Sequence, residues 1–116
     1  MNGDLVISEA DGGGRAAVLR LKGRLDVKTS PTLLRRSAEV QANGQNLILN
    51  LSEISFLGSS GVGALLVLVE QFQEQAGAVR IVAPSPAVAT VIKLLNLDRY
   101  LPVDPNEEKA LSEIGA

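Results

Sequence analysis

The sequence predicts a single α/β domain over residues 1–116, with a mixed sheet of four to five strands and about four helices. Three observations carry that expectation. Residues 46–51 (Asn-Leu-Ile-Leu-Asn-Leu) are apolar on both faces, as a strand covered by helices on both sides or buried centrally in a sheet must be. Short β-like runs alternate with longer runs of helical spacing. Three dipeptides, Ser30-Pro31, Ser85-Pro86 and Asp104-Pro105, each put a capping side chain before a proline suited to a first helical turn.

Taken in order, residues 5–8 and 16–22 read as strands joined by the turn Asp11-Gly12-Gly13-Gly14. In the second strand Ala17, Leu19 and Leu21 alternate with Val18, Arg20 and Lys22, so one face turns inward. Ser30 then opens a helix with Leu34, Ala38 and Ala42 at helical spacing, closed near Gly44. After strand 46–51 comes a helix over 61–76, with Val62, Leu65, Leu66, Val69, Phe72 and Ala76 at core spacing and Gly77 at its end. Residues 79–82 make a fourth strand. Ser85 caps a helix carrying Val88, Val91, Ile92 and Leu95. Residues 100–103 make a short fifth strand. Asp104, with Glu107 at the spacing of a capping box, opens a last helix carrying Ala110, Leu111 and Ile114. The expected core includes Leu19, Leu21, Leu47, Leu49, Leu65, Val69, Ile81, Val91 and Ile92.

Composition excludes several functions. Cysteine and histidine are both absent, so disulfides, thiol redox chemistry, zinc sites and histidine-based catalysis are out; no metal and no cofactor is expected. The three aromatics, Phe56, Phe72 and Tyr100, offer no stacking platform, and a net charge of −2 does not suit a phosphate backbone, so no nucleic-acid partner is expected. The longest apolar run, 64–69, falls far short of the roughly 20 residues a membrane helix needs. Residues 1–10 include Asp4 and Glu9 and no signal-like apolar run. These features point to a cytoplasmic protein without a membrane partner.

One segment carries a functional signal: Ser55-Phe56-Leu57-Gly58-Ser59-Ser60-Gly61-Val62-Gly63, at the carboxyl end of the buried strand. Contacts in open α/β sheets concentrate at such ends, and a helix N-terminus stabilises an anion or a serine-borne phosphate. The plainer alternative is that a serine caps the helix and the glycines permit close packing. No Gly-Lys-Ser/Thr follows, so this is not a P-loop, and without histidine no serine triad can form. On the helix face opposite the core stripe lie Gly63, Ala64 and Val67, then Glu70, Gln71, Glu74 and Gln75. An apolar patch beside the serines suits a docking protein, unless those side chains are scattered surface apolars or lie under the final helix.

Residues 47–68 (Leu-Ile-Leu-Asn-Leu-Ser-Glu-Ile-Ser-Phe-Leu-Gly-Ser-Ser-Gly-Val-Gly-Ala-Leu-Leu-Val-Leu) resemble the signature of the STAS domain family, and within it the small stand-alone bacterial anti-sigma factor antagonists. The likeness extends to Gly23-Arg-Leu-Asp26, Gly77-Ala-Val-Arg-Ile-Val, Ser85-Pro-Ala-Val and Leu94-Leu-Asn-Leu. The resemblance implies a partner switch and no enzyme activity. The unmodified protein binds an anti-sigma factor that is also a serine kinase and so frees a sigma factor; phosphorylated, it lets go, and a PP2C-type phosphatase restores it. The family's acceptor, the second serine of Asp-Ser-Ser-Gly, falls on Ser60, with Gly58, Ser59 and Gly61 as the neighbouring loop. The partner surface falls on Asp26, and the helix face adds Gly63, Ala64 and Val67. A homodimer is compatible with this reading. Gly58 departs from the pattern, which has aspartate there, and so removes a carboxylate from the serine loop. Two rivals follow: a constitutive, unphosphorylated STAS adaptor in a stressosome-like or lipid-transport complex, and an enzyme or nucleotide-binding protein that uses the Gly58–Gly63 loop, with Asp26 as its base. The second lacks a Walker lysine.

Overall fold

The computed structural model describes residues 5–115. The strands are β1 (Leu5–Asp11), β2 (Ala16–Leu25), β3 (Asn46–Leu57), β4 (Val79–Val82) and β5 (Val103–Asp104). The helices are α1 (Ser30–Ala42), α2 (Ser59–Glu74), α3 (Pro86–Leu94) and α4 (Glu107–Gly115), with a 3₁₀ turn at Leu97–Arg99. One sheet runs β1-β2-β3-β4-β5, with β1 antiparallel to β2 and the other neighbours parallel. The expected class, mixed sheet and helix number are what the structure has.

Strand order explains the layers. Each parallel step places the next strand beside the last, and right-handed crossovers that always advance in one direction leave their helices on one face. Hence α1, α2 and α3 share a side, over a core that includes Leu19, Leu21, Leu47, Leu49, Leu65 and Ile81. α4 lies alone on the other side, where Ala110, Leu111 and Ile114 cover Ala16, Val18, Ile48 and Val82. Ile48 therefore faces α4 while Leu47 and Leu49 face the three helices, which is why this strand is apolar on both faces.

Two ion pairs fasten the C-terminal elements. Arg20 donates to Glu107 through Nε and Nη2, both at 2.8 Å, and Asn50 Nδ2 donates to Glu107 Oε2 at 2.8 Å. The Arg20 hydrogen bond, helped by Asn50 and by the Arg20 charge, outweighs burial and holds the Glu107 carboxyl at about 2. Arg80 donates to Asp104 at 2.7 and 2.9 Å, joining β4 to β5.

Several local expectations are corrected. β3 does not stop at residue 51 but runs on to Leu57. The β2–β3 register shifts between Arg20/Lys22 and between Gly23/Arg24, each time with an extra residue in β3. Those bulges stretch the inward spacing to Leu51, Ile54 and Leu57 and hide the strand's period. Asp104 does not cap α4. Its carboxylate is committed to Arg80, and Asn106 Oδ1 accepts from Lys109 N–H at 2.8 Å instead. Ser30 lies inside α1 and donates to Asp26 O, with Thr29 at the N-cap. α1 buries Leu33, Ser37 and Val40, leaving Ala38 and Ala42 exposed. Ser85 does cap α3, accepting from Val88 N–H at 3.2 Å. Val91 is only half-buried and Leu95 is exposed, because Val88 and Ile92 take the core side. Gly44 turns at φ +72°, as a helix-ending glycine should; after α2 it is Ala76, not Gly77, that turns left-handed.

Candidate functional site

Four parallel strands, β2 to β5, deliver their carboxyl ends to one edge of the molecule, and the serine loop forms there. The Gly58 N–H donates to Leu25 O at 3.0 Å, which joins the end of β3 to the end of β2. Gly58 is the N-cap of α2, with extended backbone, and its carbonyl accepts from Val62 N–H at 3.0 Å. Ser59 and Ser60 therefore belong to the first turn of α2, which begins two residues earlier than the sequence reading put it. Both are exposed, and among the described residues neither hydroxyl makes a hydrogen bond. Three first-turn N–H groups lack helical partners there, as at any helix start.

Gly61 fixes how closely this turn rides over the sheet. A Cβ at that position would meet Leu25 O at 2.6 Å and Leu57 Cδ1 at 2.7 Å. Gly63, one residue past the buried Val62, has nothing within 4 Å of the same construction and faces solvent. Val67 is 40% exposed one turn on. Ala64 is a correction: it is 5% exposed and cannot lie on the open face. It sits two turns before Gln71, whose carbonyl accepts from Gln41 of α1, so this side of α2 is turned toward α1. The buried stripe includes Leu68, which the sequence reading missed, while Ala76 is exposed.

Asp26 stands at the same edge, but its carboxylate organises a turn. Oδ1 accepts from Lys28 N–H at 3.0 Å and Thr29 N–H at 3.2 Å, and Oδ2 accepts from Arg24 Nε at 3.4 Å. Burial pushes this carboxyl up, yet the Thr29 and Lys28 amides, the Thr29 hydroxyl and Arg24 outweigh it and leave it below the usual carboxylate range. Such an acid is a poor proton acceptor, which tells against Asp26 as a general base.

Three neighbours escaped sequence reading. Val27 is 72% exposed beside Asp26, Phe56 is 40% exposed beside Gly58, and the Arg24 guanidinium carbon lies 4.2 Å from the Phe56 ring centre. Only Val27 left a signal, an apolar side chain in a turn between Asp26 and Lys28. Arg24 and Phe56 face each other in the ladder only because of the two bulges.

Comparison with known proteins agrees with this fold. The model of the STAS domain family matches residues 8–110. An anti-sigma F factor antagonist of Lysinibacillus sphaericus is 30% identical over 99 residues, covering 84% of each chain. The crystal structure of an anti-sigma factor antagonist from Mycobacterium paratuberculosis superposes with a TM-score of 0.86 at 29% identity, covering 99% of this chain and 98% of that one. The anti-sigma factor antagonist SpoIIAA, solved in its unphosphorylated form, gives 0.77 at 25% identity, covering 96% and 98%.

Proposed function

This chain belongs to the STAS domain family, and on that premise we propose that it is a cytoplasmic anti-sigma factor antagonist switched by phosphorylation of Ser60. In the unmodified state its partner, an anti-sigma factor with serine kinase activity, seats over Ser60, Gly63 and Val67, with Asp26 holding the adjacent turn. Phosphorylation places a charge of about −1.5 to −2 in that contact. Desolvating such a charge opposes binding, and a PP2C-type phosphatase resets the switch. The observation that carries this reading is the placement of two exposed, unengaged serine hydroxyls at the start of α2, beside the Asp26 turn.

A constitutive adaptor remains the rival because Gly58 supplies no carboxylate beside the serines. Intact-mass analysis after incubation with ATP and the kinase of the chain's own genome separates the two. Wild type should gain one phosphate and leave the kinase, while Ser60→Ala should gain none and stay bound. Phosphate appearing on Ser59 in Ser60→Ala moves the acceptor by one residue. A wild-type chain that binds the kinase and gains no phosphate is the adaptor.

A further inference from the structure

We propose that the free edge of β1 is a self-association surface, and that its occupant is β1 of a second copy, paired antiparallel about a two-fold axis through Ser8. β1 is an edge strand, with β2 on one side only. The Gly12 N–H donates to Ala16 O at 2.9 Å, and the β1–β2 register leading up to that bond is unbroken, so these two residues form a hydrogen-bonded pair. Such pairs recur at every second residue of an antiparallel ladder. Ala10, Ser8 and Val6 therefore direct their backbone groups to β2, and those of Leu5, Ile7, Glu9 and Asp11 point outward. Among the described residues nothing is bonded to these outward groups.

This edge has the form that folded proteins ordinarily avoid. It is seven residues long, without proline and without a bulge in its ladder. The opposite edge of the sheet, β5, has only two residues, so β1 is the edge long enough to recruit a strand. The occupant is a second β1 because this strand suits its own reverse. An axis through Ser8 pairs all of it: Leu5 with Asp11, Val6 with Ala10, Ile7 with Glu9, and Ser8 with itself. No like charges then stand directly opposite. Glu9, the charge nearest the axis, is already paired with Arg36 at 3.2 Å. Val6, 57% exposed, gains an apolar neighbour in Ala10. The outward groups of Leu5, Ile7, Glu9 and Asp11 meet one another in about eight backbone hydrogen bonds. A two-fold contact of this kind closes on itself, so assembly stops at a dimer. β1 is one strand removed from the β2–β3 junction that carries the serine loop, so the proposal stands apart from the switch.

Sedimentation velocity over about 1 μM to 1 mM should show the 12.2 kDa chain giving way to a species of twice that mass. Glu9→Pro removes an outward donor and no β1–β2 bond, and an edge strand accepts proline. It should weaken association by at least about tenfold with the circular dichroism unchanged. The absence of cysteine allows a second measurement. Ser8 and Val6 are both exposed and lie on the same face of β1. About the proposed axis Ser8 meets its own copy as a non-hydrogen-bonded pair, about 4.5 Å between Cα atoms, within the span of a disulfide. The two Val6 residues are instead offset by four positions along the strands, roughly 13 Å. Under mild oxidation Ser8→Cys should form a disulfide dimer and Val6→Cys should not. Should Glu9→Pro fail to fold, the two cysteine variants decide alone. A chain that stays monomeric up to about 1 mM, equal cross-linking at both positions, or a dimer that folded Glu9→Pro leaves intact overturns the proposal.

Discussion

A Cβ added to Gly61 would lie 2.6 Å from the carbonyl oxygen of Leu25, a separation that packed side chains do not reach. The first turn of α2 is thus laid directly on the end of β2, and the serines take their position from that contact. Gly61→Ala must lift the turn, and overpacking of this kind costs about 1–3 kcal/mol. Gly63 sits two residues along the same helix in open space, where Ala gains up to about 1 kcal/mol in helix propensity. Chemical denaturation should show Gly61→Ala destabilised and Gly63→Ala stabilised. Equal effects at the two positions contradict the close approach.

The Glu107 clamp predicts an acid limb. Its carboxyl is held at about 2 in the folded state against an ordinary 4.5. A depressed folded value means that the unfolded chain binds the proton first. The stabilisation is complete above about pH 4.5 and is lost as pH falls through about 2. Glu107→Gln keeps the hydrogen-bonding shape but not the charge, so its stability should depend less on pH across that window than wild type. At neutral pH the loss should stay near 1 kcal/mol, since Arg20 is half exposed. Parallel pH profiles for the two proteins would remove the clamp from the account.

Most of the element order was legible because local signals and tertiary structure agree there: the two-faced apolar strand, the Ser85 cap and the Gly44 turn. The misses occur where a distant partner overrides a local rule. Asp104 reads as a cap by its spacing to Glu107, yet Arg80, 24 residues earlier, claims both its oxygens. α1 shows one stripe through Leu34 and Ala38, but the helix rolls onto Leu33, Ser37 and Val40, a stripe disguised by its serine. At the candidate site, Ser59, Ser60 and Asp26 were singled out by motif. Arg24 and Phe56 were not, because a period-two reading cannot count the residues that the bulges add. Ala64 was misplaced because a small apolar residue suits a helix–helix contact as well as a surface.

That serine gives a direct check on the α1 packing. Ser37 Oγ is fully buried and has no hydrogen-bond partner among the described residues. Removing an unsatisfied hydroxyl relieves a desolvation penalty, and alanine is also the better helix former. Ser37→Ala should therefore be neutral or stabilising by up to about 1 kcal/mol, an unusual result for truncation of a fully buried side chain. A loss of more than about 1 kcal/mol would show that the hydroxyl is satisfied after all.

Phosphorylation of Ser60 should separate stability from binding. The hydroxyl is exposed in the first turn of α2, whose N-terminal N–H groups carry partial positive charge and whose first turn holds no acidic residue to repel a phosphate. An anion there stabilises a helix by about 0.3–1 kcal/mol at an exposed position. For a domain of this size that is a rise of a few degrees in Tm at most, on the order of 1–5 °C. A partner that covers the same spot has to strip water from a doubly charged group, and the N–H groups already engaged by the phosphate are no longer free to help. The thermal transition of the phosphorylated chain should therefore hold or rise slightly while its affinity for the anti-sigma factor drops by at least tenfold, about 1.4 kcal/mol. Ser60→Asp is a poor substitute, since a carboxylate has less charge and one oxygen fewer, and it should show only part of the loss. If the phosphorylated chain instead melts several degrees early, the modification acts by loosening α2, and the loss of binding is a consequence of unfolding rather than of charge at the contact.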